Sequence, residues 1–251
     1  MFNKYAAWAW AWACTAALCI WLQPICQAGV TASTTRVIFP SEAKEQSLEL
    51  VNLNAYPVLV QTWIDDGNIK GTPEESDAPI FTVPPIFRME SMGRSFLRLI
   101  NSGTALPNDR ESLFWLNLVE VPPQDSASAN KNDQLTITLR TQLKVFVRPA
   151  GLAIPANALL NELAFKIDSN ANSSTLIIEN PTPYFATISA IEIQQDQATQ
   201  SYSTDMIEPF GRASIPLQGI SKNSNEQIQL RFFLVDDNGQ SVSGHRVISA
   251  R

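Results

Sequence analysis

The sequence predicts an all-β protein made of two immunoglobulin-like β-sandwiches. Short strand-like runs recur roughly every ten residues over most of its length. Past the N-terminal leader, no stretch holds a long helical period. The runs fall into two sets of about seven, the number such a sandwich uses, divided near Pro149-Ala150-Gly151.

The leader is expected to lie outside the fold. Lys4 gives a positive start, Tyr5 to Leu22 is almost wholly apolar, and Cys26-Gln27-Ala28 puts small residues where a signal peptidase reads. Residues 1–28 thus read as a secretory signal cut after Ala28, with an uncleaved anchor as the other reading of so long a run. All three cysteines, Cys14, Cys19 and Cys26, fall inside it. The mature chain is then free of disulfides and must hold together by core burial, for which about 100 residues per sandwich suffice. The expected division is 29–149 for the first domain and 150–251 for the second.

In the first half, Thr34 to Phe39 is the opening predicted strand, stopped by Pro40. Gln46 to Asn54 alternates through Leu48 and Leu50. Val58 to Asp65 ends at the turn Asp65-Asp66-Gly67-Asn68. Ile80 to Val83 and Ile86 to Met89 flank Pro84-Pro85 and read as short edge strands. Arg94 to Asn101 and Leu113 to Val121 read as core strands. Gln134 to Pro149 closes the half, with Leu135, Ile137 and Leu139 alternating against Thr136, Thr138 and Arg140. A period of two marks a strand with one apolar face, which ordinarily fills its own core. Here that face begins directly after the polar stretch Pro122 to Asp133, where a strand can project beyond its sheet.

In the second half, a short helical turn over Ala156 to Glu162 precedes seven predicted strands. These are Ala164 to Asp168, Ser174 to Asn180, Tyr184 to Ile193, Ser201 to Ser203, Ala213 to Leu217, Gln227 to Val235 and Ser241 to Ser249. Asp237-Asn238-Gly239 is the hairpin signal between the last two. The halves share a pattern but no evident sequence repeat.

Composition narrows the function. The net charge is −6, and loss of Lys4 with the leader makes it one unit more negative, so nothing favours nucleic acid or anionic lipid. The one histidine, His245, lies in a terminal strand. The mature chain has no cysteine nucleophile, no GxSxG elbow and no histidine-containing metal spacing, so no enzyme and no cofactor are expected. Asp65-Asp66-Gly67 and Asp236-Asp237-Asn238-Gly239 read as turns rather than calcium loops, because regular ligand spacing does not follow. Two cations stand out by context: Arg36 inside the first strand, and Lys144 among Leu143, Val145 and Phe146. Such charges usually face solvent. If both face one cleft they suit a single carboxylate, as a planar fork beside a point charge.

The run Leu106-Pro107-Asn108-Asp109-Arg110-Glu111-Ser112-Leu113-Phe114-Trp115-Leu116-Asn117-Leu118, with Val121-Pro122-Pro123, resembles the signature of the periplasmic pilus chaperones. So do Thr35 to Pro40, Trp63 to Gly67, Pro84 to Glu90, Leu143 to Pro149 and Asn180 to Tyr184, in that family's order. The resemblance implies two sandwiches set as a boomerang around a cleft, and a non-enzymatic chaperone that binds pilus subunits. Its last N-terminal-domain strand would complete a subunit's unfinished sandwich by donor-strand complementation. On this resemblance Leu135, Ile137 and Leu139 enter the subunit's groove, Arg36 and Lys144 anchor its C-terminal carboxylate, and Glu111, Arg148 and Asp237 form an interdomain salt-bridge network. The short Pro122 to Asp133 loop resembles the branch that builds rod-like pili. An outer-membrane usher is the implied second partner, and free chaperone would have reason to self-associate through the apolar strand. A secreted two-domain structural or adhesive protein is the competing reading.

Overall fold

The computed structural model describes residues 29–123, 138–169, 173–195, 198–218 and 227–249. The leader, Leu135 and Ile137 lie outside the described residues. In chain order the first half carries β1 (Val30–Ala32), β2 (Arg36–Pro40), β3 (Glu45–Asn52), β4 (Val58–Asp65), β5 (Ile80–Val83), β6 (Ile86–Met89), β7 (Arg94–Asn101), β8 (Ser112–Val121) and β9 (Leu139–Arg148). They form one sheet of order β1-β3-β7-β5 and another of order β2-β9-β8-β4-β6. Alternate residues of each sheet meet between them, with Phe39, Leu50, Val60, Leu97, Leu116 and Val145 fully buried.

The second half follows a short 3-10 turn (Ala156–Ala158) and α1 (Leu159–Glu162). It carries β10 (Ala164–Ser169), β11 (Ser174–Glu179), β12 (Ile188–Gln195), β13 (Ala198–Tyr202), β14 (Arg212–Leu217), β15 (Gln227–Val235) and β16 (Ser241–Ser249). The sheets run β10-β11-β14 and β13-β12-β15-β16, and enclose a separate core around Leu176, Ile178, Ile191 and Phe232. Both halves are thus sandwiches of the immunoglobulin-like kind.

The opening strand differs from the sequence expectation. Instead of one strand over Thr34 to Phe39 there are two, β1 and β2, with exposed Ser33, Thr34 and Thr35 between them. The chain changes sheets at this break. β1 pairs antiparallel with β3, and β2 pairs parallel with β9. Thr34 supplies a local partner at the crossing, its hydroxyl donating to the Arg36 carbonyl over 2.8 Å.

β12 also starts later than expected, at Ile188, because Asn180 to Tyr184 forms a corner instead. The buried Asn180 amide donates to the carbonyls of Tyr184 at 2.7 Å and Glu208 at 2.9 Å, and its oxygen accepts from the Thr182 amide and hydroxyl. The first half builds the same corner around Asn52, which donates to Tyr56 and Glu90 and accepts from the Asn54 amide. Each corner grips a turn whose third residue has positive φ, Phe210 at 57° and Met92 at 54°. The Phe210 and Met92 amides donate to the Thr182 and Asn54 carbonyls. The halves therefore repeat this corner around four identical residues, Asn52/Asn180, Tyr56/Tyr184, Glu90/Glu208 and Gly93/Gly211, too thinly spread to register as a sequence repeat.

Candidate functional site

β2 and β9 run side by side in parallel, with Arg36 opposite Lys144. Val37 and Phe39 of β2, and Leu143, Val145 and Val147 of β9, point into the core. The two-residue period then sends Arg36, Lys144, Phe146 and Arg148 to the other face of the sheet. Part of that face packs against the second sandwich, where the Phe146 and Phe185 rings lie 5.8 Å apart. A cleft of about 320 Å³ opens there, lined by Arg36, Glu111, Arg148, Tyr184 and Asp237 among others.

Arg36 is buried, and its Nη1 donates to the Val235 carbonyl over 3.1 Å. Its Nε is buried with no hydrogen-bond partner among the described residues. Burial lowers its pKa, against the raising influence of Asp237, Asp236 and Glu111. Lys144 stands next to it, just outside the cleft lining, with Nζ 5.5 Å from the Trp115 ring centroid. Burial pushes its ammonium below the ordinary value, and the Arg36 charge pushes the same way. No ion pair to either cation occurs among the described residues.

The nearby carboxylates are engaged elsewhere. Arg148 Nε donates to Glu111 over 2.7 Å, while its two terminal nitrogens hold Asp237 bidentately at 2.7 and 2.8 Å. Asp236 prepares this contact: its carboxylate accepts from the amides of Asn238 and Gln240, closing the hairpin turn that presents Asp237. Gly239 lets the turn approach the first sandwich, since a Cβ there would lie 2.3 Å from the Thr35 hydroxyl. Glu111 also accepts from the Phe185 amide at 2.9 Å. Burial pushes the Glu111 carboxyl up, with Arg148 pulling it down. Burial works against the Arg148 charge, but Asp237 and Glu111 more than offset it and hold the guanidinium protonated.

Comparison with known proteins bears on the whole chain. Residues 29–153 match the family "Pili and flagellar-assembly chaperone, PapD N-terminal domain", and residues 159–246 match "Pili assembly chaperone PapD, C-terminal domain". The chaperone protein FimB/FhaD of Bordetella pertussis is 33% identical over 228 residues, covering 89% of this chain and 90% of that protein. The chain belongs to the pilus-assembly chaperone family. The probable fimbrial chaperone YadV of Escherichia coli is 32% identical, over 87% of this chain and 89% of its own. Among solved structures, the Pseudomonas aeruginosa CupB2 chaperone is 30% identical with a TM-score of 0.72, covering 87% of this chain and all of that one. Like its family, this chaperone is not an enzyme.

The end of β9 carries the remaining candidate site residue within the described part of the chain. Leu139 shares a face with Leu143 and Val145, yet it is 50% exposed where Val145 is fully buried. The apolar face therefore runs out past this chaperone's own core. Arg140 turns to the opposite face, an orientation the sequence left open. Its guanidinium donates to Asn117, to Asp65 and to the carbonyls of Asn68, Ile69 and Gly71, and lies 4.7 Å from the Trp63 ring centroid. Asp65, read from sequence only as a turn residue, also accepts from Trp63 Nε1 and Asn117. Arg140, Asn117 and Asp65 went unread as a group because each lies in a separate strand. The available cue is that Asp65 and Asn117 each follow a Trp by two positions, within or at the end of an apolar run. His245 is exposed on β16. No described helix is long and apolar enough to cross a membrane.

Proposed function

We propose that this protein is a periplasmic chaperone that captures pilus subunits by lending them the start of β9 and holding their C-terminal carboxylate between Arg36 and Lys144. The supporting observation is one of placement. Two adjacent cations, both without an acidic partner among the described residues, face each other across β2 and β9, and β9 is the strand whose apolar face emerges at Leu139. Burial of Leu135, Ile137 and Leu139 in a subunit's open groove contributes about 1.5–3 kcal/mol each before association costs. The carboxylate supplies the missing acceptor for Arg36 and the missing counter-charge for Lys144, each bond adding about 1.5–3 kcal/mol. It also fixes register, because a slip of one residue turns the apolar side chains away.

Glu111, Arg148 and Asp237 keep the cleft at the angle this anchoring needs. An outer-membrane usher receives the loaded complex, and the subunit's neighbour displaces β9. Unloaded chaperone covers the apolar strand by self-association. Export of the chain rests on the leader, cleaved at the boundary before residue 29, with a further boundary near Pro149.

The test is a tagged pull-down from periplasm, comparing wild type with Arg36→Ala and Lys144→Ala. Pilin-like chains should accompany wild type and be lost from both variants. Equal recovery by the variants refutes the anchor. Recovery of nothing by wild type while subunits are expressed favours the secreted structural or adhesive reading.

A further inference from the structure

The proposed anchoring of a subunit does not use Glu120, a nearly buried carboxylate, 7% exposed, near the end of β8. Its Oε1 accepts from Asn54 Nδ2 at 2.6 Å, and its Oε2 accepts from the Val30 amide at 2.8 Å. No lysine, arginine or histidine pairs with it among the described residues. Arg140 lines the same small cavity of about 150 Å³, but its donors are committed to Asn117, Asp65 and the backbone. A buried carboxylate lacking a cation is costly unless something supplies one.

Gly29 lies directly against this carboxylate. A Cβ built on Gly29 would fall 1.9 Å from Glu120 Oε2, so any larger residue here would have to push the carboxylate off its present hydrogen bonds. Gly29 is itself buried, and its carbonyl accepts from the Leu53 amide at 3.1 Å, which fixes the residue beside β3. Its nitrogen is the first atom after the bond that the Cys26-Gln27-Ala28 pattern marks for cleavage.

We infer that Glu120 is the receptor for the chain's own processed N-terminus, binding the α-ammonium of Gly29 once the leader is removed. A signal peptidase adds water across the Ala28–Gly29 amide. Ala28 leaves as a carboxylate, and the freed Gly29 amine takes up a proton. That charge appears one residue before the Val30 amide that already donates to Glu120. The uncut chain carries a neutral amide at the same spot and leaves Glu120 without a cation. Cleavage therefore finishes the fold of the first sandwich. It does so at a functional place, because Glu120 is the register partner of Leu139, and Gly29, Leu139 and Thr141 line one cavity. The bound N-terminus thus braces the root of the strand offered to subunits.

The experiment uses the full chain exported with its own leader. Intact mass should give an N-terminus at Gly29. An N-terminus-selective aldehyde, 2-pyridinecarboxaldehyde, should label the folded wild type about tenfold more slowly than E120Q, the two becoming equal in denaturant. Inserting one Ser between Ala28 and Gly29, with the new N-terminus verified by mass, should lower Tm by about 5 °C. E120Q should lower it similarly, and the combination should add nothing further. A start at another residue, equal labelling of the folded proteins, or additive losses in Tm would each overturn the inference. The insertion keeps the test decisive should E120Q fold poorly, since its own Tm must then still fall.

Discussion

Arg36 and Lys144 are register partners across the parallel β2–β9 pair, two cations held side by side with no acid between them. This arrangement costs the free protein something. The Lys144 ammonium, depressed below its ordinary 10.5 by burial and by Arg36, binds its proton less readily when folded than when unfolded. The unfolded chain therefore holds more protons between the folded value and 10.5, and stability must rise with pH across that window. Lys144→Met should flatten this rise and raise Tm at neutral pH. Thermal melts of both proteins as a function of pH check it; an unchanged slope would show that Lys144 is not the group responsible.

Binding should move the opposite way from stability in the same variant. Loss of one charge-assisted bond to a subunit carboxylate weakens affinity by about 10- to 100-fold. A subunit whose C-terminus is amidated should bind wild type and Lys144→Met with nearly equal affinity, because the charge that distinguishes them is gone. Titration calorimetry with free and amidated subunit separates the two cases.

The ion-pair network should respond unequally to its members. Glu111 is buried and Asp237 is about half exposed, with Arg148 between them. Arg148→Ala strands a buried carboxylate and should cost about 3 kcal/mol. Asp237→Ala removes a screened partner and should cost about 0.5 kcal/mol, while loosening the attachment of the β15–β16 turn to β9. Denaturant unfolding gives the first comparison, and small-angle scattering the second. Equal costs would mean that Asp237, not Glu111, carries the pairing energy.

Strands bounded by Pro, Gly or Asp-Asn clusters were legible to the residue. β4, β5, β6, β7, β15 and β16 have the limits their sequence implies, because turn residues restrict φ locally and need no tertiary context. β1 and β12 were not. Their limits depend on a sheet crossing at Ser33 to Thr35 and on the Asn180 corner, which are set by partners far along the chain. The site divides the same way. Alternation alone sends Lys144 to the face opposite Leu139, whereas the meeting of Arg148 with Asp237 spans 89 residues and no local pattern encodes it.

Arg140 gives a stability prediction independent of the cleft. Its guanidinium satisfies three carbonyls of the β4–β5 connection and packs over Trp63. Arg140→Ala should cost about 2 kcal/mol, seen as a lower urea midpoint with unchanged slope. Arg140→Lys should recover only part of this, because an ammonium cannot span Asn117 and the loop together. Full recovery by Lys would reduce the residue's role to its charge.

The last prediction concerns which face of the strand does the work. Leu139 is half exposed in the free protein, so Leu139→Asp removes little native packing, and the charge it sets opposite its register partner Glu120 should lower stability by about 1 kcal/mol. In a complex the same change places a charge in an apolar groove and forfeits about 1.5–3 kcal/mol of burial, a loss of at least tenfold in affinity. Thr138 is the matched control: it is exposed and directly precedes Leu139, where strand alternation sets it on the opposite face. Thr138→Asp adds the same charge one residue away and should leave subunit binding near wild type, because strand alternation turns it from the groove. If both variants lose binding equally, the added charge and not the face explains the loss, and the insertion of Leu139 is refuted. If only Leu139→Asp fails, the face that is exposed here is the one the subunit buries.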